Sequence, residues 1–111
     1  MGLKTRAEFL AAAKGGKWAA KGVVVQARRH GRSDDEIGYG FTASRKVGGA
    51  VQRNRAKRRL RACAAIALDL GGCGGWDYVF IARGATLTRV WPSLVADAAT
   101  GVLRAAAGAR R

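Results

Sequence analysis

Acidic residues are scarce in this chain. Seven Asp and Glu stand against 21 Lys and Arg, a formal net charge of +14 over 111 residues. A domain this basic repels itself when compact and normally has a polyanion as partner. Histidine occurs once, as His30, and cysteine twice, as Cys63 and Cys73. A zinc site needs a full tetrahedral set of ligands, usually in close pairs. These three residues cannot supply it, so no metal site is expected in the protein. The two cysteines read as reduced, small apolar residues. No apolar run reaches the roughly 18 residues of a membrane span. The segment Met1–Phe9 is charged and lacks the apolar core of a secretion signal. A cytoplasmic protein with no membrane partner is expected. The one acidic cluster, Asp34-Asp35-Glu36, sits in a polar run from Gly31 that reads as a turn. His30, after Arg28 and Arg29, reads as a solvated loop histidine. With no base, nucleophile or carboxylate cage assembled, hydrolysis by the protein alone is disfavoured and no catalytic residue is assigned.

Apolar residues make up 49% of the chain, enough to fold as one domain spanning 1–111. Residues 5–14 predict a short helix, with Thr5 and Glu8 spaced as a capping box and Gly15 and Gly16 as its stop. The β-branched run at 22–29 and the alternating Ile37, Tyr39, Phe41 and Ala43 predict two strands. The short turn between them suggests an antiparallel hairpin. Residues 50–70 read as a helix with Ala56, Leu60, Cys63, Ala64 and Ala67 on one face. Gly71 to Gly75 reads as a flexible loop rather than a phosphate cradle. Residues 76–82 are apolar on both faces and belong inside a sheet. A last helix starts at Thr88, holds Pro92 in its first turn, and packs through Leu94, Val95, Ala98, Val102 and Leu103. Arg110 and Arg111 form a basic tail. The order helix–strand–strand–helix–strand–helix, with one further strand optional before the long helix, predicts a small α+β sandwich. The strands flanking the long helix can be parallel.

Function concentrates in residues 45–61. Eight cations lie there, Arg45, Lys46, Arg53, Arg55, Lys57, Arg58, Arg59 and Arg61, and no acid. At about 100° per residue the six on the helix sweep roughly two-thirds of its circumference. A merely solvated face would favour interspersed acids, because like charges at i,i+4 destabilise a helix. Arg53/Lys57 and Lys57/Arg61 are two such pairs. Guanidinium groups bind phosphate bidentately and stack on bases, and Asn54 among them can hydrogen-bond bases, ribose or phosphate. A membrane-surface helix would carry a bulkier apolar face than this alanine-rich one.

The stretch Phe41 to Arg61 closely resembles the Arg-Asn-Arg signature of the bacterial ribonuclease P protein component. Ser44, Lys46, Gly48, Ala50, Val51, Arg53, Asn54, Arg55, Lys57, Arg58 and Arg61 occupy its fixed positions. The likeness extends to Leu3–Phe9, similar to the family's opening helix, and to Asp77–Arg83, similar to its strand ending in Ala-Arg. The resemblance implies the small basic subunit of a ribonucleoprotein that removes the 5′ leader of precursor transfer RNA. It implies hydrolysis by the RNA subunit with Mg2+, a left-handed βαβ crossover around the basic helix, and no obligate protein partner. It assigns Arg53, Asn54, Arg55, Lys57, Arg58 and Arg61 to binding the RNA subunit. Phe9, Arg45, Lys46 and Arg83 match positions lining the leader cleft. Two positions depart from the pattern: Ala13 and Gln26 stand where the family often has aromatics. A general RNA-binding module of ribosomal or chaperone type, sharing only the basic helix, is the alternative reading.

Overall fold

The computed structural model describes residues 2–109; the basic tail Arg110–Arg111 lies outside the described residues. The chain runs α1 (Arg6–Ala13), β1 (Gly16–Ala19), β2 (Val23–Arg29), β3 (Ile37–Thr42), α2 (Ala50–Gly71), β4 (Trp76–Ala82) and α3 (Trp91–Ala109). Single 3₁₀ turns at Arg45–Val47 and Gly84–Thr86 lead into α2 and α3. The optional further strand exists, but it is β1, ahead of the other strands. The capping box forms as expected. The Thr5 hydroxyl accepts from the Glu8 N–H, and the Glu8 carboxylate accepts from the N–H groups of Thr5 and Lys4. Those backbone bonds hold the Glu8 carboxyl below the ordinary carboxylate range.

The sheet order is β1-β2-β4-β3. β3 and β4 are parallel, as expected of strands joined by a whole helix, and β4 is interior. The hairpin expected of β2 and β3 does not form, because β4 inserts between them, antiparallel to β2. Trp76, Tyr78 and Phe80 on one face of β4 and Val79 on the other are all buried. A strand apolar on both faces gains most from a central place. The hairpin that does form joins β1 to β2. Loop 30–36 steps across the start of β4, held by His30 N–H to the Gly75 carbonyl (3.0 Å) and Gly75 N–H to the Glu36 carbonyl (2.8 Å). A Cβ at Gly74 would lie 2.2 Å from the Asp34 carbonyl oxygen. The glycine run is therefore a packed crossing, not a flexible loop. His30 is a pin in the same crossing rather than a solvated side chain. Its Nδ1 accepts from the Arg32 N–H (3.0 Å), which leaves Nε2 to donate to the Glu36 carbonyl (2.8 Å).

Cross-strand register assigns the two faces. Val25, Phe80 and Phe41 share one row, with Gly101 of α3 directly over Val25 and Arg61 of α2 over Phe41. Gln26, Val79 and Gly40 share a row on the opposite face, where the Phe9 ring of α1 lies over Gly40. α2 and α3 thus cover one face and α1 the other. The residues that α2 buries are those its periodicity predicts: Ala56, Leu60, Cys63, Ala64 and Ala67. α3 differs. It begins at Trp91 rather than Thr88, with Pro92 still in its first turn, because the 3₁₀ turn occupies the preceding residues. Its buried stripe is Leu94, Ala98, Gly101, Val102, Ala105 and Ala106. Leu103 is 60% exposed. It lies about 100° around the axis from Val102, and the small residues Gly101 and Ala105 turn the other side toward β1 and β2.

Candidate nucleic-acid interface

α2 starts badly for a helix chosen for stability. Its N-cap is Gly49, with no side-chain cap, and its first turn holds no acid. Arg53, at the end of the first turn, lies where the helix dipole disfavours a cation. Asn54, Arg55, Arg58 and Arg61 are exposed, and Arg53 and Lys57 half-buried. Arg53 Nη1 donates back to the Gly48 carbonyl at 3.4 Å. Among the described residues, carboxylates pair with Arg28, Arg29, Arg32 and Arg89. None pairs with a cation of 45–61. The result is an uncompensated guanidinium-rich surface that attracts a polyanion.

One cation does not project. Arg59 donates from Nη1 to the Thr86 carbonyl and from Nη2 to the Arg89 carbonyl, both at 2.7 Å, and its guanidinium lies 5.7 Å from the Trp91 ring centroid. Of the six cations in the helical sweep, Arg59 is turned back onto the fold instead of outward. The free carbonyls of the segment entering α3 lie within reach of Arg59, and they capture it.

The residues matched to the leader cleft fall in two places. Arg45 and Lys46 are exposed on the 3₁₀ turn after β3, and Arg83 is exposed at the end of β4. Because β3 and β4 are parallel, these cations collect at one end of the sheet. Arg83 Nη1 donates to the Ala20 carbonyl at 2.8 Å, which ties that end to the β1–β2 turn. Phe9 lies on the α1 face. A Cβ at position 40 would come within 2.6 Å of its ring, so Gly40 is what seats it. Gln26 is in the same cross-strand row, and Lys17, its partner on β1, extends that row as an exposed cation. Ala13 is exposed at the end of α1.

Phe9 also meets the RNA-motif set. It lines a cavity of about 620 Å3 together with Lys57 and Arg61. Tyr39, Phe41, Ala64, Ala65, Leu68 and Leu3 complete most of the wall. In the sequence Tyr39 and Phe41 read only as the apolar face of a strand, and nothing marks Lys17. The usable sign was two aromatics on an edge strand facing a helix stretch of alanines. The buried carboxylate of Asp77 belongs to the frame. It accepts from Arg32 Nη2 (2.6 Å) and Nη1 (3.3 Å), while Arg32 also reaches Glu36 (3.2 Å) and Glu8 of α1 (3.7 Å). This cluster joins loop 30–36, β4 and α1, and so fixes the helix that carries Phe9.

Comparison with known proteins bears on the family and the fold. A sequence model of the family described as ribonuclease P matches residues 1–106. The ribonuclease P protein component of Caulobacter vibrioides is 47% identical over 105 residues, covering 95% of this chain and 70% of that protein. That of Ruegeria pomeroyi is 46% identical over 97 residues, covering 86% and 78%. The solved ribonuclease P protein of Staphylococcus aureus superposes with a TM-score of 0.74 at 25% identity, covering 97% of this chain and 96% of that one. The Thermotoga maritima protein gives 0.71 at 26% identity, covering 87% and 90%.

Proposed function

The chain belongs to the ribonuclease P protein family, and from that premise we propose how its own residues serve the enzyme. It is the accessory protein subunit of a ribonucleoprotein endoribonuclease that processes the 5′ end of transfer RNA. In our reading Arg53, Asn54, Arg55, Lys57, Arg58 and Arg61 hold the RNA subunit. Their guanidinium and ammonium groups neutralise phosphates and leave base recognition to few contacts. The observation that carries this is the absence of any carboxylate partner for these cations among the described residues.

The second partner is precursor transfer RNA. Its leader passes over the α1 face, with a base against Phe9 and phosphates near Arg45, Lys46 and Arg83. Lys17 supports the same path. Gln26 in place of an aromatic leaves hydrogen bonding rather than stacking at that point of the row. In this reading, as the family implies, the protein needs no obligate protein partner and works in the cytoplasm. Among the described residues no helix is long and apolar enough to cross a membrane. Mg2+, which the family's chemistry implies, belongs in this reading to the RNA. Among the described residues no three His, Cys, Asp or Glu side chains come together to hold a metal. The protein's part is to lower phosphate repulsion where the RNAs meet.

A salt titration of RNA-subunit binding tests the reading. If about six phosphates are neutralised, affinity falls on the order of a thousandfold between about 50 and 200 mM salt, by duplex-DNA magnitudes. A flat titration would remove α2 as the contact surface.

A further inference from the structure

Building on α2 as the RNA-binding helix, we propose that the cavity between β3 and α2 receives one unpaired nucleotide of bound RNA. Its base stacks on Tyr39 and its phosphate rests on Lys57 and Arg61. The cavity volume, about 620 Å3, is within the roughly 300–1,000 Å3 typical of small-ligand sites. Its α2 wall includes Ala64 and Ala65, where any larger side chain would narrow it, and Phe9 of α1 lines another side. Tyr39 is 40% exposed although it points to the helix-covered face of the sheet. Phe41 is already occupied: Phe80 stacks on it at 5.6 Å between centroids, and the Arg61 guanidinium lies 5.8 Å from its ring. Tyr39, 6.0 Å from Phe41 and tilted by 53°, is the aromatic with surface left to offer.

An apolar slot alone would suit many ligands. Here Lys57 and Arg61 line the same slot, and among the described residues neither has a carboxylate partner. A flat apolar ring joined to an anion is what satisfies both halves, and a nucleotide has that form. Proteins that read RNA favour unstacked bases held on aromatic rings, and such stacking tolerates any base. The nucleotide can come from the RNA subunit or from the precursor's leader.

Two variants address the stack and the space separately: Tyr39→Leu removes the π-face, and Ala65→Leu fills the slot. Each is assembled with a ribonuclease P RNA transcribed in vitro. Affinity is measured for that RNA, and then, in the holoenzyme, for precursor and mature transfer RNA. Each variant is expected to lose about tenfold in one arm. Loss toward the RNA subunit identifies it as the source. Loss toward precursor with mature transfer RNA unchanged identifies the leader. Wild-type affinities in every arm for both variants would overturn the proposal. Lys57→Ala, run in parallel, separates the two ideas. If it weakens assembly while the other two do not, only the slot fails; if none of the three has an effect, the reading of α2 fails with it. Should Tyr39→Leu not fold, Ala65→Leu decides, because residue 65 is exposed on a helix where leucine is well tolerated.

Discussion

Arg59 donates a hydrogen bond to the backbone carbonyl of Thr86 at 2.7 Å, with a second to Arg89. One cation of the basic helix therefore holds the fold together while its neighbours face outward. Arg58 and Arg59, adjacent in sequence, should give opposite phenotypes. Arg59→Ala should lower stability by about 2 kcal/mol, the scale of hydrogen bonds to a charged group, in urea unfolding. Arg58→Ala should leave stability within about 0.5 kcal/mol and weaken holoenzyme assembly by about 1 to 3 kcal/mol. Equal unfolding midpoints for the two variants would count against this division.

That division marks where the sequence stops being legible. Periodicity predicts every buried residue of α2, and a run apolar on both faces predicts an interior β4, because burial follows local pattern. Strand pairing follows competition between distant segments. β2 and β3, neighbours in sequence, lose each other to β4. β1 is four residues long, Gly16-Lys-Trp-Ala, and shows no alternation of buried and exposed positions; its glycine reads equally well as a helix stop. The placement of Arg59 and His30 depends on which backbone carbonyls happen to lie nearby, and composition carries no trace of that. The parts of the candidate site legible from the sequence are the cations, Asn54 and Phe9. Tyr39, Phe41 and Lys17 emerge only once α2 and β1 are set against the sheet.

Phe9 over Gly40 predicts a leader-specific defect. Phe9→Leu keeps an apolar side chain but removes the flat ring, a contact worth about 1 to 3 kcal/mol per stacked base. Gly40→Ala should act similarly by pushing the ring away, since the added Cβ would come within 2.6 Å of it. Both variants should assemble with the RNA subunit normally and bind precursor less tightly. Mature transfer RNA, which has no leader, should bind as to wild type. Equal losses for both ligands would return Phe9 to a packing role.

Removing Arg32 leaves the fully buried Asp77 carboxylate, among the described residues, with only Arg28 as ion-pair partner, at 3.7 Å. Arg32→Ala should destabilise the fold by on the order of 3 kcal/mol, the low end for breaking a buried pair, since Arg32 itself is partly exposed. Thermal unfolding measures it, and an unchanged midpoint would show that the cluster does not brace α1.

The two thiols should behave differently. Cys63 is buried and Cys73 exposed, and both are free. Burial pushes the Cys63 thiol up to about 11. Its folded pKa lies above the ordinary 9.0, so its contribution to stability is complete below pH 9 and lost as pH rises toward 11. Iodoacetamide at neutral pH should label one thiol in the native protein and two in urea. Cys63→Ala should flatten the alkaline decline in stability. Rapid native labelling of both thiols would contradict the packing of α2.

The most direct test of the account compares precursor cleavage by the protein alone, a ribonuclease P RNA alone, and the two together, at near-physiological magnesium. Cleavage at the mature 5′ end is expected only when both are present, with the protein alone inactive. Robust cleavage by a nuclease-free preparation of the protein, or an RNA subunit that the protein fails to activate under these conditions, would contradict it.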